Sequence, residues 1–94
     1  MADYKFDGKQ LKGRNYTLLG EIDGKIIKDA HYNTVGEIDG NYIKDAHYNL
    51  IAEVNGNDIK DSHYNKIGTV DGIRQIIEGP GGISLVALWV LLIR

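Results

Sequence analysis

The chain repeats itself every 16 residues, and each copy carries an Asx-Gly pair at the same place. Residues 20–35 read GEIDGKIIKDAHYNTV, 36–51 read GEIDGNYIKDAHYNLI and 52–67 read AEVNGNDIKDSHYNKI. One period earlier lies a degenerate copy, YKFDGKQLKGRNYTLL, at 4–19. One period later, 68–78 opens as GTVDG and then loses the pattern, because Ile73-Arg74-Gln75-Ile76-Ile77 places its apolar residue one position late. A fixed period of this kind is the mark of a repeat architecture, whose outer copies are commonly imperfect. Asp7-Gly8, Asp23-Gly24, Asp39-Gly40, Asn55-Gly56 and Asp71-Gly72 each follow an apolar residue. Asx-Gly is the preferred pair for a two-residue type I′ turn, which needs positive φ at both central positions. Each unit is therefore expected to be one β-hairpin, joined to the next through a loop around Ala-His-Tyr-Asn.

A turn centred on Asp39-Gly40 sets Ile38 against Asn41 and Gly36 against Ile43. One sheet face then carries the series Phe6, Ile22, Ile38, Val54, Val70 and the series Leu11, Ile27, Ile43, Ile59, together with Gly20, Gly36, Ala52 and Gly68. Large residues alternating with very small ones leave room for something bulky against this inner face. The other face carries Glu21, Glu37, Glu53 and Lys12, Lys28, Lys44, Lys60, which suits solvent. The apolar series Leu19, Val35, Ile51, Ile67 is a misfit on that outer face. A bulge at the neighbouring Gly turns it inward, and the pattern alone leaves both arrangements open.

After Glu78 the composition changes. Residues 79–82, Gly-Pro-Gly-Gly, form a linker, and 83–94 follow as ISLVALWVLLIR. This run is apolar on every side and needs apolar surroundings. Three arrangements compete: a membrane segment, a closing strand and a buried helix. A span needs about 20 residues, and the run is about half that. As a helix, eleven residues reach about 16 Å, close to the about 17 Å of a five-residue strand. The expected arrangement is a helix inside a short barrel, with Ser84 as its N-cap and Arg94 at its C-terminal dipole.

Composition excludes several classes. The 94 residues contain no Cys, so there is no disulfide scaffold, thiolate site or cysteine nucleophile. Thirteen acidic against eleven basic residues give a net charge of −2, no footprint for nucleic acid. The N-terminus lacks the apolar stretch of a signal peptide, which makes the cytoplasm the default compartment.

The unit G-E-I-D-G-x-x-I-K-D-A-H-Y-N, four times over and followed by an apolar segment, resembles the four-fold β-flower family. The resemblance covers about Tyr4 to Arg94 and implies a shallow barrel of repeated hairpins around an apolar helix. It implies no specific activity. The architecture is also similar, as a distant fold analogy, to Tubby C-terminal-like domains, which act at phosphoinositide membranes, but no basic lipid site is matched here. The near-identity of the middle units fits recent duplication or consensus design.

Four sets of residues are candidates for chemistry. His31, His47 and His63 recur at one unit position and invite a metal ring, yet equivalent positions two strands apart lie about 9–10 Å from each other, too far for one zinc. Tyr16, Tyr32, Tyr48 and Tyr64 occur in every unit. Their plainer role is to pack at the hairpin-to-hairpin corner; their functional role is a ligand platform for carbohydrate or peptide. Asp29, Asp45 and Asp61 are read as loop-entry residues bonding backbone amides rather than calcium ligands. The Gly-rich linker lacks the phosphate-loop pattern. No catalytic arrangement stands out.

These readings give one all-β domain over 1–94: a closed or nearly closed antiparallel barrel, pseudo-four-fold, enclosing the C-terminal helix. The expected role is a non-catalytic structural or interaction module, monomeric and without cofactors. A membrane- or lipid-associated module is the first alternative, and a carbohydrate-binding module using the tyrosines is the second.

Overall fold

The computed structural model describes residues 3–94. Ten strands form one sheet, in the order β10-β1-β2-β3-β4-β5-β6-β7-β8-β9. The strands are β1 (Tyr4–Phe6), β2 (Gln10–Lys12), β3 (Leu18–Asp23), β4 (Ile26–Asp29), β5 (Thr34–Asp39), β6 (Tyr42–Asp45), β7 (Leu50–Asn55), β8 (Asp58–Asp61), β9 (Lys66–Thr69) and β10 (Ile77–Glu78). Helix α1 (Val70–Ile76) separates β9 from β10, and α2 (Ile83–Leu88) follows. The repeated sequence thus becomes an antiparallel meander from β1 to β9.

Within each hairpin the turn sits one residue later than the Asx-Gly rule places it. Asp39 pairs with Tyr42, Ile38 with Ile43 and Gly36 with Asp45, so the loop is Gly40-Asn41. Gly40 has φ +61 and Asn41 is not in the positive-φ region. A left-handed first central residue is the place that Gly takes in a type II′ turn. The pairing differs from the expected one by two positions, which leaves every side chain on its expected face. The small residues accordingly face the preceding hairpin: Gly20 pairs with Leu11, Gly36 with Ile27, Ala52 with Ile43 and Gly68 with Ile59.

The misfit series is resolved by bulges. Ile43 pairs with Ala52 and Lys44 with Leu50, so Ile51 has no partner. Leu19, Val35 and Ile67 are passed over in the same way. All four side chains are half-buried and pack against the core. On the outer face Glu21 departs from the solvated expectation: it is 8% exposed, with Gln10 and Lys28 opposite it on the two flanking strands.

The fifth unit departs from the other four. Asp71-Gly72 is not a hairpin turn, because Thr69 caps a helix there: its hydroxyl accepts from the Gly72 amide at 3.0 Å. Ile73, Ile76 and Ile77 have the i, i+3, i+4 spacing of a helical face, and Ile73 is buried. The helix carries the chain back, so that β10 pairs parallel to β1. The eight antiparallel steps from β1 to β9 make β9 run the same way as β10. Among the described residues no pairing joins β9 to β10, so the sheet is not closed by hydrogen bonds, and α1 lies between these two edge strands in the chain and contacts both. Counted by strands, there are five two-strand units rather than four, the last one opened by a helix.

The apolar tail is a helix within the curved sheet. Leu85, Val86, Ala87 and Leu88 are fully buried and Val90 nearly so. After Leu88 the helix widens into a π-helical stretch, Trp89–Ile93, closed by the Arg94 amide on the Trp89 carbonyl at 2.8 Å. Ser84 is not the N-cap; Gly82 takes that place without a side-chain bond. Arg94 lies over the Trp89 ring, 5.9 Å from its centroid. The small positions of the sheet receive the tail: Leu92 lies over Gly20, Leu91 over Gly36 and Trp89 over Gly68. A side chain at Gly20 or Gly36 would also strike the backbone carbonyl of Lys28 or Lys44. No helix among the described residues is long and apolar enough to cross a membrane.

Candidate functional site, an aromatic rim

Because the strands alternate in direction, the hairpin turns gather at one rim of the sheet and the links between hairpins at the other. The links hold the repeated Asp-x-His-Tyr-Asn. In the middle three, the Asp side chain builds the loop. Asp45 Oδ1 accepts from the amides of His47 at 2.8 Å and Asn49 at 3.0 Å. Asp29 does the same for His31 and Asn33, and Asp61 for His63 and Asn65. Two backbone bonds close each loop, from the Tyr48 amide to the Asp45 carbonyl at 3.1 Å and from the Asp45 amide to the Asn49 carbonyl at 2.9 Å. The amide of the Asn four residues on, with the His amide adding to it, holds the carboxyls of Asp29, Asp45 and Asp61 below the usual aspartate range. These aspartates are loop-builders, as the sequence suggested.

The cost of the arrangement falls on the tyrosines. Tyr32, Tyr48 and Tyr64 have φ of 65°, 66° and 65°. This left-handed region is crowded for a bulky L-residue and belongs mainly to Gly and Asn. Their rings do not pack at the corner. They are 62%, 72% and 72% exposed, and none joins the core. The first loop reaches the same result by another route. Gly13 replaces the loop aspartate, a short 3₁₀ turn spans Arg14–Tyr16, and both Asn15 and Tyr16 are left-handed. Tyr16 is 78% exposed. Four tyrosines thus stand out from one rim.

His31, His47 and His63 lie on the same loops and are exposed. The structure does not bring them together: among the described residues no group of three His, Cys, Asp or Glu is placed to hold a metal. The middle loops, 29–33, 45–49 and 61–65, contain no Lys or Arg. Since each aspartate is turned onto its own backbone, the rim offers His, Tyr and Asn side chains, planar and able to hydrogen-bond.

A second concavity went unrecognised in the repeat pattern. A cleft of about 830 Å³ is lined by residues of β1, β2, β10 and the first loop, among them Lys5, Lys12, Arg14 and Tyr16. Its signal in the sequence is Lys5, which stands where the next three copies have Glu21, Glu37 and Glu53.

Residues 3–79 match a family model described as "5-fold beta-flower protein". No curated protein and no solved structure matches the chain. The kind of family is the one that the repeat resembles, but the number is five. The β9 and β10 strands supply the unit whose sequence has drifted too far from the 16-residue pattern to be counted. With the match covering most of its length, the chain belongs to the five-fold β-flower family.

Proposed function

We propose that the protein is a non-catalytic binding module whose contact surface is the tyrosine rim, and that its ligand is carbohydrate. One observation carries this reading: the same loop position is tyrosine in four units, exposed and left-handed in every one. Backbone strain of this kind costs of order 1–3 kcal/mol per residue and clusters at functional sites. The rings are mostly in solvent and none is part of the buried core, so packing gives no reason for them. Flat exposed rings flanked by hydrogen-bonding His and Asn suit the apolar faces and hydroxyls of sugars. The absence of Lys and Arg from the middle loops disfavours anionic lipid and nucleic acid at this surface. The apolar tail, through which a bilayer would be engaged, is spent inside the sheet.

The test is a glycan array with the double variant Tyr32→Gly, Tyr48→Gly. Gly accepts φ near +65° without strain but costs backbone entropy, so the variant should fold with stability unchanged or raised by up to about 1 kcal/mol per site. Retention of the wild type and its loss in the folded variant support the reading. Retention by both, or by neither, overturns it. Liposome flotation of the intact protein checks the membrane alternative, and no co-flotation is expected.

A further inference from the structure

The first unit breaks the charge pattern of the others. In the next three, a Glu faces a Lys directly across the hairpin: Glu21 with Lys28, Glu37 with Lys44 and Glu53 with Lys60. In the first, Lys5 faces Lys12. Like charges directly opposite one another destabilise a strand pair. Arg14 adds a third cation, where the next copies have Ala30, Ala46 and Ser62. Residues 4–19 hold Lys5, Lys9, Lys12 and Arg14 against Asp7 alone, while each of the next three copies is net negative. A basic unit in a chain of net charge −2 is a local field that the fold does not need.

The three cations line the 830 Å³ cleft, with Tyr16 among its walls. That is the size of a site for a small organic molecule. Three carboxylates also line it, Asp3, Asp7 and Glu78. Asp7 Oδ1 is committed to its own turn, accepting from the Lys9 amide at 2.9 Å and the Gln10 amide at 2.7 Å. Asp3 takes one bond from Arg14 Nη2 at 3.0 Å, and the two side chains are 57% and 80% exposed. So exposed a pair holds little energy and leaves the other guanidinium donors available. Glu78 stands beside Lys5 across the β1–β10 pairing. Among the described residues, neither Lys5 nor Lys12 has a carboxylate oxygen within ion-pair distance.

We infer that this cleft is a binding site for a small organic anion, whose phosphate or carboxylate group is held by Lys5, Lys12 and Arg14 and whose body lies against Tyr16. Lys5, Lys12 and Arg14 line one cleft, and ammonium and guanidinium groups give an oxyanion charge-assisted hydrogen bonds. The cleft shares Tyr16 with the rim, but its cations lie outside the middle loops and the inference does not depend on the sugar reading.

The experiment is an amide NMR titration of the full chain with phenyl phosphate, benzoate and inorganic phosphate in parallel, at low salt. Saturable shifts confined to residues 3–16 and 77–79 are expected with phenyl phosphate or benzoate, and comparison of the two tells phosphate from carboxylate. Inorganic phosphate should bind more weakly, since it leaves Tyr16 uncovered. Lys5→Gln removes one of the two facing cations without setting a second carboxylate opposite Glu78, so it should keep the fold and weaken binding at least tenfold. Arg14→Ala, a return to the repeat, should weaken it less. The proposal is overturned if neither organic anion saturates, if Lys5→Gln binds as tightly as the wild type, or if the shifts are as large around Glu37 and Lys44.

Discussion

The two rims of the sheet share a positive φ and fill it with opposite residues. At the hairpin rim Gly24, Gly40 and Gly56 have φ of 63°, 61° and 64°. At the other rim Tyr16, Tyr32, Tyr48 and Tyr64 have φ of 61°, 65°, 66° and 65°. Glycine enters this region freely, whereas a residue with a side chain loses roughly 1–2 kcal/mol there. The hairpin rim is the solution that folding alone favours. The tyrosine rim gives up stability at four positions to hold aromatic rings in water.

The largest effect should come from making the hairpin rim resemble the tyrosine rim. The triple variant Gly24→Tyr, Gly40→Tyr, Gly56→Tyr meets no clash at Cβ, since nothing lies within 4 Å of where each Cβ would stand. It should lose about 1–2 kcal/mol per site, read as a lower urea midpoint at unchanged m-value. If the midpoint does not move, left-handed tyrosine is costless in this fold and the contrast between the rims has no energetic content.

A smaller effect separates the aspartates that serve each rim. Asp45→Ala orphans the amides of His47 and Asn49 and should lower Tm by several degrees. Asp39→Ala removes only an exposed pair, Asp39 with Lys44 at 2.9 Å, and should leave Tm nearly unchanged. Equal losses would mean that the carboxylate bonds do not hold the tyrosine loops in shape.

Much of this was legible beforehand, and the limits have physical causes. Face assignment survives because side-chain direction in a strand has period 2, so the inner Ile and Gly series could be read directly. The pairing could not be chosen from hydrophobicity, because a slide by two positions keeps every face; only the left-handed residue in the turn decides it. The bulges were visible as a misfit, since Leu19, Val35, Ile51 and Ile67 were apolar on a solvated face. Of the closed and nearly closed forms the sequence left open, Thr69 decides for the second, because its capping bond starts a helix where Asp71-Gly72 promised a turn. The exposure of the tyrosines was beyond the sequence, because it depends on a loop path drawn by the aspartate two to four residues away. The basic cleft was within reach: Lys5 stands alone in a column of glutamates.

The finest distinction between the rims is in how their carboxylates respond to salt and acid. Asp39 is lowered by the Lys44 hydrogen bond and charge, and Lys44 is raised in return. Asp45 is lowered first by the Asn49 amide and then by the His47 amide, neutral donors fixed by the chain. At about 1 M salt the screening length falls to about 3 Å, which weakens the exposed ion pair but hardly touches a bond to an amide. A carboxyl-detected NMR titration should therefore show Asp39 drifting up toward the ordinary aspartate value of about 3.9, while Asp29, Asp45 and Asp61 stay low. For a group lowered by folding, the stabilisation is complete above the unfolded value and is lost as pH falls through the folded one. The tyrosine loops should accordingly hold at pH 4 and loosen below it, at high salt as at low. If all of these aspartates drift together in salt, the amide bonds are not what holds them, and the rim's loops owe their shape to charge instead.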